Sequence, residues 1–336
     1  MSKFFCILMG NLPFENKERE ILVKRESKTD SKFGKKPEDR TVSEMIEYGI
    51  INIDKPEGPT SHQVSAYVKQ ILGIKKSGHS GTLDPKVTGI LPVALGRGTR
   101  VTLSLLTAGK EYVCLMKLHR DVPEHEIRKV MKTFVGKIKQ LPPIKSAVKR
   151  QNRFRRIYYL DILAIDGKNV LFVTGTQAGT YIRKLCHDIG VKLGVGANMF
   201  ELRRTKAGPF KEETICSLQE LSDAYYFWKQ GDETLIRKVI QPIEKAVEHL
   251  PKIWVMDTTV NSICNGASLK IPGIVKLDSG IEPDMKVAIM TLKEELIMTA
   301  ISKLSSDVIL KKDQGIAAKA DQVFMQPGIY PKIEKD

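Results

Sequence analysis

The sequence predicts a mixed α+β domain followed by a small all-β domain, and three observations predict it. Strand-like and amphipathic helical runs alternate irregularly between residues 49 and 210. An Asp166-Gly167 turn joins two strand runs into a hairpin, which requires antiparallel pairing rather than a doubly wound sheet. Beyond Pro251 the chain breaks into short, apolar, turn-rich pieces. At 336 residues and 42% hydrophobic, the chain suggests about two domains with room for a substantial core.

Residues 4 to 9, FFCILM, are too short for a signal peptide and lack a small-residue cleavage site, and no segment approaches the roughly 20 apolar residues that span a bilayer. A soluble, intracellular protein is expected. Residues 15 to 45 mix Lys, Arg, Glu, Asp and Ser with few apolar positions and read as an extended arm, ordered only if something holds it. Gly49 to Asp54 reads as a strand. Thr60-Ser-His-Gln63 resembles a capping box opening a helix that presents Val64, Val68, Ile71 and Leu72 on one face and stops at Gly73.

The stretch GHSGTLDPKVTG at 78 to 89 follows. Glycines and the Asp84-Pro85 dipeptide exclude a regular helix, so Asp84 sits in a loop. Asp before Pro is a common turn former, and loops on rigid scaffolds also carry chemistry; the residues alone leave both readings open. Glu111 to Leu118 reads as a strand, and Ile127, Val130, Met131 and Phe134 mark a helix that Gly136 stops. Ile157 to Ile165 and Val170 to Thr174 are the arms of the hairpin.

Thr180 begins a helix with Ile182, Leu185, Ile189 and Leu193 at helical spacing. Arg183 and Lys184 lie in its first turn, where the helix dipole disfavours cations by about 0.3 to 1 kcal/mol each. Either both are exposed at that small cost or one faces an anion. Ser217-Leu-Gln-Glu220 is a second capping box, followed by Leu221, Ala224 and Trp228, and residues 234 to 249 read as a further helical segment before the boundary at Pro251. IWVM, a helical turn ending at Gly266, LKIPGIVKL and VAIMTLKEELIMTAI, with a turn at Leu292 to Leu296, then suggest a barrel of about 80 residues.

Lys and Arg number 54 against 39 Asp and Glu, a net charge of +15 that favours polyanionic partners. Between Glu126 and Asp161 there is no acid, while Arg128, Lys129, Lys132, Lys137, Lys139, Lys145, Lys149, Arg150, Arg153, Arg155 and Arg156 form an unrelieved basic band. Arg203, Arg204 and Lys206 add a second cluster. Phe154, Tyr158 and Tyr159 offer rings for base stacking, although strand alternation turns some of them inward. The five cysteines are far apart and never form C-x-x-C, and the six histidines show no H-E-x-x-H spacing. Reduced thiols in a cytoplasmic protein, with no disulfide framework and no metal, are expected.

Six blocks carry a resemblance: DKPEGPTSHQV at 54 to 64, GHSGTLDPKVTGILPVALG at 78 to 96, KEYVCLMKLH at 110 to 119, LPPIKSAVKR at 141 to 150, GTYIRKLCHDIG at 179 to 190 and ELRRTKAGPF at 201 to 210. In this order they resemble the TruB family of RNA pseudouridine synthases. The arm, the segment SLQELSDAYYFWKQGD and the tail resemble its archaeal, dyskerin-like branch, the catalytic subunit of box H/ACA ribonucleoproteins. The resemblance implies an α+β pseudouridine synthase fold with a largely antiparallel central sheet. It further implies an arm over 1 to 45 packing on the C-terminal domain, a catalytic domain over 46 to 250, and a β-barrel PUA domain over 251 to 333.

It also implies roles. Asp84 is the expected catalytic carboxylate, Tyr112 packs against the target base, and Arg183 pairs with the carboxylate, in agreement with its unfavourable place on the helix. His79 takes part in opening the target strand, Leu202 lines the base pocket, and Lys55 and Pro56 support the site. Lys55, Lys145, Lys149, Arg150, Arg153, Arg155, Arg203 and Arg204 are the basic residues expected on the substrate and RNA side.

Isomerising uridine detaches the base from C1′, rotates it and rejoins it through C5, which one carboxylate can serve as nucleophile or as base. Neither a metal nor an organic cofactor is expected. Expected partners are a guide RNA, ribosomal or transfer RNA substrates, two small accessory proteins on the catalytic domain and a kink-turn-binding ribosomal-like protein acting through the RNA. A stand-alone enzyme for the T-loop uridine of tRNA is the alternative, and a non-catalytic RNA scaffold is disfavoured by the intact Asp84, Tyr112 and Arg183 set. Ser80, Asn265 and Ser302 depart from the branch's usual Gly, His and Gly.

Overall fold

The structure, a computed structural model, describes residues 10–141 and 151–332. Its first strand, β1 (Ile21–Val23), belongs to the arm. The next ten, with most of the helices, build the larger sheet: β2 (Gly49–Lys55), β3 (Ser77–His79), β4 (Thr88–Leu95), β5 (Lys110–Leu118), β6 (Gly136–Gln140), β7 (Arg153–Asp166), β8 (Asn169–Thr176), β9 (Ala197–Ala207), β10 (Phe210–Lys211) and β11 (Ile240–Pro242). Their order is β11-β2-β4-β9-β5-β8-β7-β6, with β3 beside β4 and β10 beside β9. Every pairing in this order is antiparallel except β4 with β9.

Helices α1 (Val42–Glu47), α2 (Ser61–Ile71), α3 (Thr102–Leu106), α4 (Glu124–Lys132), α5 (Ile182–Lys192), α6 (Leu218–Lys229) and α7 (Thr234–Val239) flank this sheet. Three open with reciprocal capping boxes, Thr41 with Glu44, Thr60 with Gln63 and Ser217 with Glu220. Each box satisfies two backbone N–H groups that a helix start would otherwise leave without partners. Val64 and Val68 of α2 and Leu221 of α6 bury against Ile51, Ile53, Leu91 and Val93. Ile127 and Met131 of α4 and Leu185 and Ile189 of α5 bury against Cys114, Met116 and Phe172.

The helix expected over 234 to 249 is interrupted. It ends at Val239, Ile240–Pro242 forms β11 against β2, and Ile243–Val247 is a 3-10 turn. Pro242 is the cause: it lacks an N–H and pushes Gln241 out of the helical region, and a sheet edge tolerates it.

The smaller sheet comprises β12 (Lys252–Val255), β13 (Leu269–Lys270), β14 (Ile274–Asp278), β15 (Lys286–Thr291), β16 (Leu296–Ser302) and β17 (Ile316–Val323), with α8 (Asp257–Cys264) and α9 (Ser306–Lys311). Its order is β1-β14-β12-β15-β16-β17-β13. The arm thus supplies an edge strand, Ile21–Val23 pairing antiparallel with Lys276–Asp278. Asp257 at the start of α8 accepts from the Thr29 hydroxyl at 3.0 Å and the Asp30 N–H at 2.9 Å.

Earlier in the arm the chain lies on the larger sheet instead. Leu12 is fully buried beside Gly109, and Gly10 sits so close to the Tyr159 ring that a Cβ there would approach it to 2.5 Å. Glu15 pairs with Lys206 at 3.1 Å and Lys211 at 2.7 Å.

The two sheets share one apolar core. Trp254, Met290, Leu296 and Phe324 pack with Tyr48, Ile50, Ile90, Phe210 and Val247. His249 is buried at this junction. Its Nε2 lies 3.2 Å from the Ser104 carbonyl, its own carbonyl accepts from Arg19, and the Phe14 ring stands edge-on at 6.0 Å.

Gly89 has φ +99°, and a Cβ would come within 2.3 Å of the Arg204 carbonyl oxygen. Gly89→Ala should therefore destabilise the protein by about 2 to 4 kcal/mol, read as a lower thermal midpoint. Burial first, then Lys110, Arg19 and Lys286, lowers the His249 pKa from 6.5 to about 4. The unfolded chain then binds the extra proton between these values, so stability should fall, by roughly 3 kcal/mol at most, as pH drops from about 6.5 to 4. Comparing unfolding across this range with His249→Gln checks it, since the variant should lose that part of the slope.

Candidate active site

The loop between β3 and β4 is held from three sides. From β2, Lys55 reaches under it fully buried, and its ammonium donates to the carbonyls of Pro56 at 2.8 Å, Pro85 at 3.0 Å and Val87 at 2.8 Å. Burial lowers the Lys55 pKa, against the attraction of Asp84 and Glu57. A buried ammonium needs its donors satisfied, so these carbonyls fix the backbone on both sides of Lys86. From the start of α2, Ser61 Oγ donates to the Leu83 carbonyl at 3.2 Å and accepts from the Leu83 N–H at 2.9 Å. The Gly58 N–H donates to Pro85 at 3.0 Å.

The third side is β9. Arg204, 1% exposed, donates through Nε to Ile90 at 2.7 Å and through Nη2 to Gly81 at 3.1 Å. Burial lowers its pKa, and the neighbouring Tyr112 hydroxyl opposes that shift. Tyr112 is half-buried on β5, paired in register with Arg204, and packs beside Leu202 on the core under α4 and α5.

On this fixed loop, Asp84 projects a half-exposed carboxylate that accepts a hydrogen bond from Arg183 Nη2. Arg183 stands in the first turn of α5. The start of α5 is itself anchored, since the Gln140 side chain accepts from the Tyr181 N–H at 3.1 Å and donates to its carbonyl at 3.2 Å. Gln140 pairs in register with Arg153 and Ile138 with Arg155, so these two arginines share one face of β7, and Arg155 reaches Gly179 before α5. Asp84, Arg183, Tyr112, Leu202, Arg153 and Arg155 thus belong to one region.

His79, at the end of β3, stacks edge-on against His62 with ring centroids 4.7 Å apart. Burial, followed by His62 and Arg204, lowers its pKa to about 4, so the ring is neutral at pH 7. Among the described residues no group of three or more His, Cys, Asp or Glu side chains is placed to hold a metal ion.

Three residues expected on the RNA side have internal partners instead. Lys55 and Arg204 are buried under the loop. Arg203 is forked onto Asp54 at 3.0 and 3.1 Å and bonds Glu212 at 2.6 Å, which neutralises its charge within the fold. Composition does not show this, because Asp54, which forks onto Arg203, and Pro85 and Gly81, which take up Lys55 and Arg204, are distant in the chain. Lys145, Lys149 and Arg150 lie outside the described residues.

The sequence reading misses Lys110, whose buried ammonium donates to the Leu105, Leu106 and Ala108 carbonyls and has its pKa lowered to about 7 by burial and then by Arg204. It also misses Glu111, which accepts from Tyr159 and Thr205. The signal for both is a Lys-Glu pair at the start of a strand whose next residues, Tyr112 to Met116, carry no charge.

Known proteins share this arrangement. The description "TruB family pseudouridylate synthase (N terminal domain)" matches residues 69–182 and "tRNA pseudouridylate synthase B C-terminal domain" matches 183–248. A DKCLD domain matches 10–65 and a PUA domain 251–324. The "Probable tRNA pseudouridine synthase B" of Pyrococcus abyssi is 56% identical over 94% of this chain and 96% of that protein. The chain belongs to the TruB family of pseudouridine synthases.

It is accordingly an isomerase acting on uridine in RNA, with a mixed α+β catalytic fold and a PUA domain. The Methanopyrus kandleri protein of the same name is 53% identical over 96% of this chain and 95% of its own length. A Cbf5-Nop10-Gar1 complex contains a chain that is 54% identical, with TM-score 0.92, covering 96% of this chain and 99% of that one. An H/ACA ribonucleoprotein bound to a substrate RNA containing 2′-deoxyuridine contains one that is 51% identical, with TM-score 0.90, covering 96% and 100%.

The three-carbonyl clamp predicts a selective effect on the loop. Lys55→Met should lower turnover by about 100-fold through misplacement of Asp84 while leaving RNA affinity within a few-fold. Single-turnover kinetics beside a binding titration checks this, and wild-type turnover would remove the clamp from the catalytic account.

Proposed function

We propose that this chain is the catalytic subunit of a box H/ACA-type ribonucleoprotein, converting uridines of ribosomal RNA that a guide RNA selects. One observation carries the reading: the likeness to chains of H/ACA complexes extends over 96% of the sequence, arm and tail included. Arm 1–45, catalytic domain 46–250 and PUA domain 251–333 are the working divisions. Guide pairing would choose the uridine, leaving this chain to hold RNA by shape and phosphate through its tail and basic band.

At the site, the Asp84 carboxylate acts on the ribose once the nucleotide has left its stack. The N1–C1′ bond breaks and a C5–C1′ bond forms. The C5 proton is lost and N1 gains one, so the product is an isomer of the substrate. Asp84 either adds to C1′ or takes a proton from C2′ on the way to a glycal. The ion pair with Arg183 orients it as RNA closes over the loop and removes water. Tyr112 and Leu202 wall the base, His79 occupies the side of the loop from which the nucleotide departs, and Arg153 and Arg155 face the backbone.

The tRNA reading keeps a specific support, because curated relatives of this length are named tRNA pseudouridine synthase B, and the two activities are compatible. Partners of the Nop10 and Gar1 kind fit the catalytic domain, and a kink-turn-binding protein would join through the RNA. The free thiols of Cys114, Cys186, Cys216 and Cys264 suit a cytoplasmic setting.

The test is pseudouridine formation, read by chemical modification and primer extension, on a tRNA transcript and on a guide-plus-target pair, with and without the two accessory proteins. Product on the guided target only when guide and proteins are present supports the guided reading. Product on the tRNA from this chain alone supports the alternative. In either assay Asp84→Asn should lose about 10³-fold or more in turnover with RNA affinity unchanged, and retained turnover would overturn the assignment of Asp84.

A further inference from the structure

Beside the Asp84 loop, on the other side of His79, lies an open groove of about 570 Å³, within the range of small-ligand sites. Helix α2 forms one wall with His62, Ser65 and Lys69, and the approach to β3 forms the other with Lys75, Lys76 and Ser77. Its floor is rigid: the Ser65 and Ser77 hydroxyls are 2.9 Å apart, and Ser77 Oγ donates to the Ser65 carbonyl at 2.8 Å. β3 is sewn to β4 in register, Ser77 to Leu95 and His79 to Val93.

The charge of this groove is one-sided. No carboxylate lines it, and among the described residues none of the three ammonium groups forms an ion pair. Some surface lysines elsewhere pair with acids, as Lys35 does with Glu44 and Lys286 with Asp321, whereas the described lining of this groove gathers three lysines and no acid. Lys75 and Lys76 are exposed and Lys69 half-buried. The His62–His79 pair lines the groove beside them, and His79, neutral at pH 7, adds a flat apolar edge rather than charge.

We infer that this groove is a phosphate subsite for the stretch of RNA flanking the target nucleotide, with Lys69, Lys75 and Lys76 on its backbone. The inference rests on the RNA-modifying reading of the Asp84 loop. An extruded nucleotide stays tied to its neighbours, so their phosphates must pass over a surface continuous with the loop. A concave surface lined by three lysines and, among the described residues, by no acid suits that passage. Such phosphate binding carries no base information, so the subsite serves any target sequence.

The test uses the full chain with the tRNA transcript and the guided target described above. Lys75→Ala/Lys76→Ala should raise KM about tenfold with kcat unchanged, and should lower the slope of log affinity against log salt by about 1.4, roughly 0.7 for each single-strand phosphate that no longer meets an ammonium group. Lys75→Arg/Lys76→Arg should restore both. Wild-type KM and salt slope in the alanine pair would overturn the subsite, as would an equal fall in kcat, which marks a disturbed loop. Failure of the underlying reading is separate, since it would show as full turnover in Asp84→Asn.

Discussion

Gly89 and Arg204 approach one another more closely than any side chain would permit, and the larger sheet depends on that approach. Two antiparallel halves meet at β4 and β9, whose parallel contact is confined to Thr88 with Arg203 and Gly89 with Arg204. With no Cβ at Gly89, the backbones pass at a distance that lets the Arg204 side chain turn back beneath the loop and bind Ile90 and Gly81. One contact therefore joins the halves of the sheet and sets the path of the chain that carries Asp84. The loop is an outgrowth of the seam.

Around that seam the protein divides its charges into two kinds. Lys55, Lys110 and Arg204 are buried, and their donors are taken up largely by backbone carbonyls, so each acts as a fixed strut. Asp84 and Arg183 are half-exposed and bond mainly to one another. The division fixes the loop from below, because a half-exposed side chain holds its position only if the groups beneath it cannot move. The Asp54–Arg203–Glu212 set extends the struts to the outer edge of the same seam.

Much of the fold was legible because its signals are local. A capping box is four residues long, and the Asp166-Gly167 hairpin turn is shorter still; α2, α6 and the β7–β8 hairpin all lie where these signals put them. The interruption at Pro242 was equally local, since a proline inside residues 234 to 249 is itself a helix-ending signal. Asp84 was a different matter: its neighbours by themselves favour a turn, and the expectation of a catalytic carboxylate comes from the family blocks alone. Arg183 was half-legible, its awkward place at a helix start implying an anion without saying which. Lys55, Arg203 and Arg204 resisted reading because a decisive partner of each, Pro85, Asp54 and Gly81 in turn, stands about 30 to 150 residues away and is brought near by the fold.

The core shared by the two sheets bears on how such a protein can change over generations. Trp254, Met290, Leu296 and Phe324 are buried in one cluster with Tyr48, Ile50, Ile90 and Val247. The arm crosses from one sheet to the other over the same junction. A tail exchanged for another of the same shape would bring mismatched side chains into the middle of the molecule. Substitutions at this junction are therefore constrained from both sides, so that the tail and the larger sheet behave as two faces of one folding unit rather than as interchangeable parts.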